Sequence, residues 1–343
     1  MRLDASLPQG QNEARTRWNT HASGAEFDKK KVAYLTPQAQ TFISQQVLCV
    51  LAGQGTRSEP RGLIVMGLPG FVATPDEHTC LLPIDRRHKT SHLLLGLLQA
   101  QQLGRVAQLG LCFIRHTTRE RLCVQGSVEL LPEDESDIFW IRLHVQQAFF
   151  HCAKYIRTNI PGLTAPAVSH LHPAPSSQLV DDGQTSLSRK VQSFIARQIV
   201  CFLCTVDREG TAAVNHRGGA AGFLISQAPS AEIPGGMMLL PDYTGNGAFE
   251  ALGNILETRQ AALVIPGYVD QLALCIGGDA FVLESDELLP EVRRKCVGAR
   301  RVIALYVQYV EQQTDDWSAP LALEFARSQS GQELGVPGLS CTI

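Results

Sequence analysis

Gln40-Thr41-Phe42-Ile43-Ser44-Gln45-Gln46-Val47-Leu48-Cys49 returns as Gln192-Ser193-Phe194-Ile195-Ala196-Arg197-Gln198-Ile199-Val200-Cys201, with Phe, Ile, Gln and Cys in register. Working outward, Gly67-Leu68-Pro69-Gly70-Phe71-Val72 lines up with Gly219-Ala220-Ala221-Gly222-Phe223-Leu224 at the same offset. Leu81-Leu82-Pro83-Ile84-Asp85 matches Leu239-Leu240-Pro241-Asp242, and Leu122-Cys123-Val124-Gln125-Gly126 matches Ala273-Leu274-Cys275-Ile276-Gly277. Leu143-His144-Val145-Gln146 matches Leu305-Tyr306-Val307-Gln308. Matches that recur in one order mark a duplicated domain.

Each copy has one plan. A helix ends near Phe42 or Phe194, and short runs rich in Val, Leu, Ile and Cys follow, broken by Gly, Pro and Asp turns. A helix is expected mid-copy, at 91–101 and 247–258, where Phe249, Leu252, Ile255 and Leu256 recur at helical spacing. Strands return at 109–114 and 261–265. Helices are too few between strands for a parallel βαβ sheet. The expected fold is mainly β, a β-barrel with inserted helices, present twice. Its boundaries are an irregular N-terminal arm (1–30), a first barrel (31–157), a linker rich in Pro, Ser, His and Asp (158–186), a second barrel (187–325) and a tail (326–343).

Composition agrees. A chain of 343 residues suits two domains, and 44% hydrophobic with 18% charged residues is ordinary for a globular protein. A net charge of -3 provides no basic field for nucleic acid, though it allows a local basic pocket. Residues 1–31 are polar, and no apolar run approaches the roughly 20 residues that span a bilayer. A soluble cytoplasmic protein is expected. Its ten cysteines sit mostly in apolar runs and read as core. Cys201-Phe202-Leu203-Cys204 has CxxC spacing, but residues three apart on a strand face opposite ways, and no second ligand pair completes a metal site.

The copies differ where function would lie. The second has Asn215-His216-Arg217-Gly218-Gly219 on or beside a strand, then Pro241-Asp242-Tyr243-Thr244-Gly245-Asn246-Gly247 leading into a helix. Free N–H groups at such a helix start favour an anion, and glycine lets backbone approach a ligand. Arg217 can offer a two-pronged donor to phosphate. The first copy has Arg61-Gly62-Leu63-Ile64-Val65 and Ile84-Asp85-Arg86-Arg87-His88-Lys89 instead. One ligand site per chain, in the second copy, is expected. The plainer alternatives are a tight Asn-Gly turn and a surface arginine.

His216-Arg217-Gly218-Gly219, Gly222-Phe223, Pro241 to Asn246 and Leu252-Gly253-Asn254 resemble the FMN-binding signature of the pyridoxamine 5'-phosphate oxidase-like family. The closest branch has long two-copy chains described as predicted flavin-nucleotide-binding proteins. Its amino-terminal copy is similar at Gly67 to Val72, Thr118 to Gly126 and Val145 to Ile156, and its end at Gly298 to Arg301. The resemblance implies tandem FMN-binding split barrels with FMN near an interface between two barrels. It puts Arg217 and Thr244-Gly245-Asn246 at the phosphate, and His216, Gly218 and Gly219 along the isoalloxazine edge. Pro241, Asp242 and Tyr243 belong to the same cofactor signature. Asn254 would brace the turn or reach the phosphate, and His151, Cys152, Lys154 and Tyr155 would close the pocket from the first copy. Ala153 departs from the branch, which tends to have Pro there. The further reductase domain of some long members is not expected in these 343 residues, so electrons would come from a separate reductase, a substrate or a nicotinamide cofactor.

Three functions follow as alternatives: an FMN-dependent oxidoreductase acting on an unknown small molecule, a non-catalytic flavin carrier, or a haem-binding split barrel using a histidine ligand. In the first, Arg217 or His216 would stabilise negative charge on reduced flavin, and His216 would move a proton or merely bond backbone. Cys152 is either a pocket residue that tunes flavin affinity or ordinary core. A homodimer is the expected assembly.

Overall fold

The computed structural model describes residues 7–88, 90–131, 138–160, 163, 178–245, 247–284 and 286–326. Two seven-stranded antiparallel sheets form the molecule. In the first, β1 (Leu48–Gln54), β2 (Pro60–Met66), β3 (Ala73–Asp76), β4 (Thr79–Asp85), β5 (Ala107–Arg115), β6 (Glu120–Leu130) and β7 (Ile138–Phe150) take the order β2-β1-β5-β6-β7-β4-β3. In the second, β8 (Val200–Val206), β9 (Ala212–Gly218), β10 (Ile225–Gln227), β11 (Met237–Asp242), β12 (Gln260–Gly267), β13 (Leu272–Glu284) and β14 (Arg301–Thr314) take the order β9-β8-β12-β13-β14-β11-β10. Every strand has the neighbours of its counterpart. The fold is mainly β and duplicated, as the repeat predicts, in the tandem split-barrel form that the resemblance implies.

Register sharpens the repeat. β6 and β13 each carry a bulge against the next strand, at Gln125/Gly126 and at Gly277/Gly278. The shared bulge sets Gly126 on Gly278 and Cys123 on Cys275, so the pairing of 122–126 with 273–277 taken from the sequence is one residue short.

Each copy has its own barrel core, and a further core lies between the copies. Cys49 and Leu51 of β1 enter the first barrel, whereas Val50 and Ala52 face the other copy. Along β8, Cys201 and Leu203 enter the second barrel, whereas Phe202 and Cys204 face the first copy. Strands covered on both faces read as continuous apolar runs, which is why these segments lack alternation. The same geometry sends the two CxxC thiols into different cores. The interface core is closed by Trp317, Leu321 and Phe325 around helix Ser318–Ala326. The copies pack reciprocally, with β9 against β5 and β1, and β2 against β12 and β8. This is the arrangement of an isologous dimer made within one chain.

The N-terminal arm is not irregular. Helices Gln9–Arg17 and His21–Asp28 occupy it. The first crosses helix Glu250–Thr258 at glycines: a Cβ on Gly10 would fall 2.1 Å from the Gly253 carbonyl oxygen. Its buried face is Gly10, Gln11, Ala14 and Arg15, and Arg15 donates to both Asp28 carboxylate oxygens, at 2.7 and 3.1 Å. Small and polar residues bury this face, so hydropathy does not reveal it. The linker is anchored at Ile160, Leu163 and Val180, which are buried. Residues 164–177, with His170 and His172, and residues 327–343 lie outside the described residues. No helix among the described residues is long and apolar enough to cross a membrane.

Candidate functional site

The second copy supplies one wall of a cavity between the copies. β9 lies at the edge of its sheet and presents Asn215, His216 and Arg217. β11 ends at Asp242, and Tyr243 and Gly245 carry the chain toward helix Glu250–Thr258. That helix starts at Phe249, which is left-handed (φ 55) and makes no side-chain cap. The equivalent helix of the first copy, His92–Gln102, is capped by Ser91, whose hydroxyl accepts from Leu94 N. The second-copy helix has no such side-chain cap, and Phe249, Glu250, Ala251 and Leu252 at its start line the cavity, where a helix N-terminus favours an anion.

The first copy supplies the other wall: Arg121 from β6, then His151, Cys152, Lys154 and Tyr155 after β7. The enclosed volume is about 80 Å3. At the mouth the rings of Tyr155 and Tyr243 stack 5.6 Å apart, and the Tyr155 hydroxyl donates to the Thr244 carbonyl at 3.2 Å. Arg300 Nε donates to the Thr244 hydroxyl at 3.0 Å. The arm helices reach the same turn, where Ser23 and Thr20 sit against Gly247 (φ 76), and Lys31 pairs with Glu250.

Charge is organised around Asp242. This buried carboxylate holds Arg217 at 3.0 Å and Arg301 at 3.0 Å, and the Arg301 guanidinium lies 4.3 Å over the Trp18 ring. Burial, then the positive charge of Arg121, pushes the His216 imidazole well below its usual range. His151 is pushed down by the same two causes in the same order. Both rings are neutral at pH 7, so each has one donor and one acceptor nitrogen. His216 is thus unsuited to carrying a proton near neutral pH. It does not bond backbone through its ring either. Both its ring nitrogens, Asn215 Nδ2, Arg217 Nε and Arg121 Nε are buried without a hydrogen-bond partner among the described residues. Buried polar groups are rarely left unmatched, so this cluster is equipped to bond a polar group that enters the cavity.

The residues singled out in the sequence divide cleanly. His216, Arg217, Asp242, Tyr243, Gly245, His151, Cys152, Lys154 and Tyr155 line the cavity, and Thr244 holds its mouth. Gly218 and Gly219 do not: a Cβ on Gly218 would fall 2.3 Å from the Tyr155 carbonyl, and one on Gly219 would meet Phe223. They allow close packing of the chain on itself. Pro241 pairs with Val302 in the sheet. Asn254 faces β8, where its amide donates to the Thr205 hydroxyl at 3.1 Å, so it neither braces the turn nor reaches the cavity. Asn246 lies outside the described residues. Arg121, Asn215 as a lining residue, Glu250 and Arg301 were not singled out. Arg121 had a signal: a charge within an apolar strand, where the corrected register puts Ala273 in the other copy.

The first copy keeps an equivalent cavity of about 220 Å3 with different chemistry. Ile64, Val65 and Ile84 stand at the positions of His216, Arg217 and Asp242. Gln313, the counterpart of His151, bonds both backbone groups of Ile64, accepting from its N–H at 3.0 Å. Arg87 stands where Gly245 does, and is held by Asp85 at 2.8 Å and Asp315 at 2.9 Å. A wider groove of about 790 Å3 lies beside it, and its Arg61 is already paired with Glu59 and Glu311.

No family model and no curated protein matches the chain. Solved structures match over about one copy. A putative pyridoxamine 5'-phosphate oxidase from Lactobacillus delbrueckii is 23% identical over 37% of this chain and 94% of its own, with a TM-score of 0.30. A pyridoxamine 5'-phosphate oxidase-related, FMN-binding protein from Nostoc punctiforme is 12% identical over 34% of this chain and 73% of its own, with a TM-score of 0.23. The haem storage protein HutZ from Vibrio cholerae is 11% identical over 38% and 94%, with a TM-score of 0.23. Likenesses this distant leave the ligand of this chain to its own residues.

Proposed function

We propose that this chain binds one FMN at the cavity between its copies, and works as an FMN-dependent oxidoreductase on a small molecule. The observation that carries this reading is the set of unmatched buried groups on Arg121, Asn215, His216 and Arg217, beside an uncapped helix start. A flavin has the two features such a site lacks: a phosphate, and a planar ring whose polar edge is rich in acceptors.

The residues fit the cofactor by donor type. The first amides of helix Glu250–Thr258 and the Gly245 turn would take the phosphate, with Arg217, whose charge is half spent on Asp242. Among the described residues, and apart from its chain neighbours, none comes within 4 Å of a Cβ built on Gly245, which leaves room for a group to approach. Arg121, Asn215 and His216 would meet the ring's polar edge. The enclosed 80 Å3 is well below the roughly 300 Å3 of a complete small-ligand pocket, so it takes one edge of the cofactor and the mouth must admit the rest. Tyr155, 43% exposed, would have to give up its bond to the Thr244 carbonyl to widen the mouth. Bound FMN supplies the redox chemistry, and the protein supplies orientation and charge. Neutral His216 holds a hydrogen bond rather than moving a proton. Electrons would reach the site from a nicotinamide cofactor or a separate reductase.

The test is the absorption spectrum of the purified protein after FMN addition, for the native chain and Arg217→Ala. Flavin bands that persist through desalting, and are lost in the variant, support the reading. No flavin uptake, or a Soret band after haem addition instead, overturns it. Reduction of the bound flavin by a nicotinamide cofactor, with turnover to an acceptor, separates an enzyme from a carrier.

A further inference from the structure

Arg121 comes from the first copy but ends in the second-copy cavity. It is 9% exposed. Among the described residues its one hydrogen bond is a long donation to the His216 carbonyl, at 3.3 Å, and its Nε has no partner. Among the described residues no carboxylate pairs with it. The acids nearby are taken: Asp242 by Arg217 and Arg301, and Glu250 by Lys31. A buried cation without a counter-ion is costly, and proteins rarely keep one without a use. Ala273 shows that the fold accepts a small apolar side chain at the equivalent position.

The groups around Arg121 add donors rather than negative charge. Asn215 Nδ2 and Arg217 Nε are unmatched donors, and neutral His216 adds one donor and one acceptor. The inner end of the cavity therefore carries positive charge and an excess of N–H groups. We propose that Arg121 selects the anionic form of whatever edge enters this cavity; on the flavin reading above, it holds the reduced anionic cofactor more tightly than the oxidised neutral ring. The first copy thereby sets the redox preference of the second copy's site.

Two measurements on the full chain test this. The first needs no ligand. Thermal unfolding of the ligand-free protein is compared for the native chain, Arg121→Met and Arg301→Met. Removing an uncompensated cation leaves Arg121→Met at least as stable as the native chain, whereas Arg301→Met, which loses its pairing with Asp242, unfolds at lower temperature. An Arg121→Met variant as destabilised as Arg301→Met makes Arg121 a structural residue and overturns the proposal. The second measures binding of FMN, oxidised and dithionite-reduced. The expected ratio of reduced to oxidised affinity falls at least tenfold in Arg121→Met, which lowers the two-electron midpoint by about 30 mV, and Arg121→Lys restores most of it. An unchanged ratio overturns the proposal. A native chain that binds no FMN in either state defeats the flavin reading alone, and the unfolding comparison still decides the role of Arg121.

Discussion

Nε2 of His116 lies 3.1 Å from the hydroxyl of Tyr268, and these residues occupy the same position in the two copies. Each follows the inner strand of its barrel, β5 or β12, and leads into the long hairpin. Contact between equivalent residues marks the pseudo-two-fold axis of the molecule. Around it the backbones are alike and the side chains are not. On one side His216, Arg121 and His151 line a polar cavity, and at their positions in the other copy stand Ile64, Ala273 and Gln313.

The buried imidazoles make stability depend on pH. Burial pushes His116 down to about 4 and, with nearby cations, pushes His151 and His216 well below their usual range. In the unfolded chain each would protonate near 6.5. Below that pH the unfolded state binds more protons, so stability is fully present above about 6.5 and falls as pH drops toward the folded-state values. Each ring contributes up to about 1.4 kcal/mol per pH unit in that window. Denaturant midpoints measured between pH 7.5 and 5 should fall, and less so in His116→Phe. A flat profile would mean that these rings are accessible to protons in the folded chain.

Asp242 balances two arginines, one of them almost fully buried: the Arg301 side chain is 7% exposed and that of Arg217 24%. Asp242→Asn leaves both without their acid and should cost about 3 kcal/mol. Thermal melts would show this, with Arg217→Ala costing less because that side chain is partly solvated. Equal, small losses would mean that the bridge adds little.

The arm is locked by glycine against glycine. Gly10→Ala should cost about 1–3 kcal/mol through overpacking on Gly253. Because Ser23 and Thr20 rest on the turn at Gly247, limited proteolysis should cut the arm faster and FMN affinity should change with it. An arm equally resistant to protease would show that the crossing tolerates the methyl group.

Gln313 seals the first-copy cavity by bonding both backbone groups of Ile64. Gln313→Ala should cost about 1–3 kcal/mol for the polar groups left unmatched. It should not create a second FMN site, since Val65 and Ile84 remain. Uptake of a second equivalent would refute that assignment.

Duplication made the fold legible. Repeats such as 40–49 with 192–201 marked the two copies, whose sheets share one strand order, and Arg217 with the 241–247 turn of the second copy pointed to the cavity that they line. Less was visible where burial is not hydrophobic. Helix Gln9–Arg17 packs through glycine, alanine and a paired arginine, so its polar sequence looked irregular. Arg121 was hidden by the one-residue slip at the bulge, which matched it with Leu272 instead of Ala273. Asn254 looked like a ligand residue because it follows the turn, but one helical turn later its side chain points into the barrel at Thr205.

The most direct test is the stoichiometry of FMN bound by the full chain, from equilibrium dialysis of the native protein and His216→Leu. One FMN per chain, weakened at least tenfold in the variant, is the predicted result. Two per chain, or one that His216→Leu leaves unchanged, would contradict a single site between the copies.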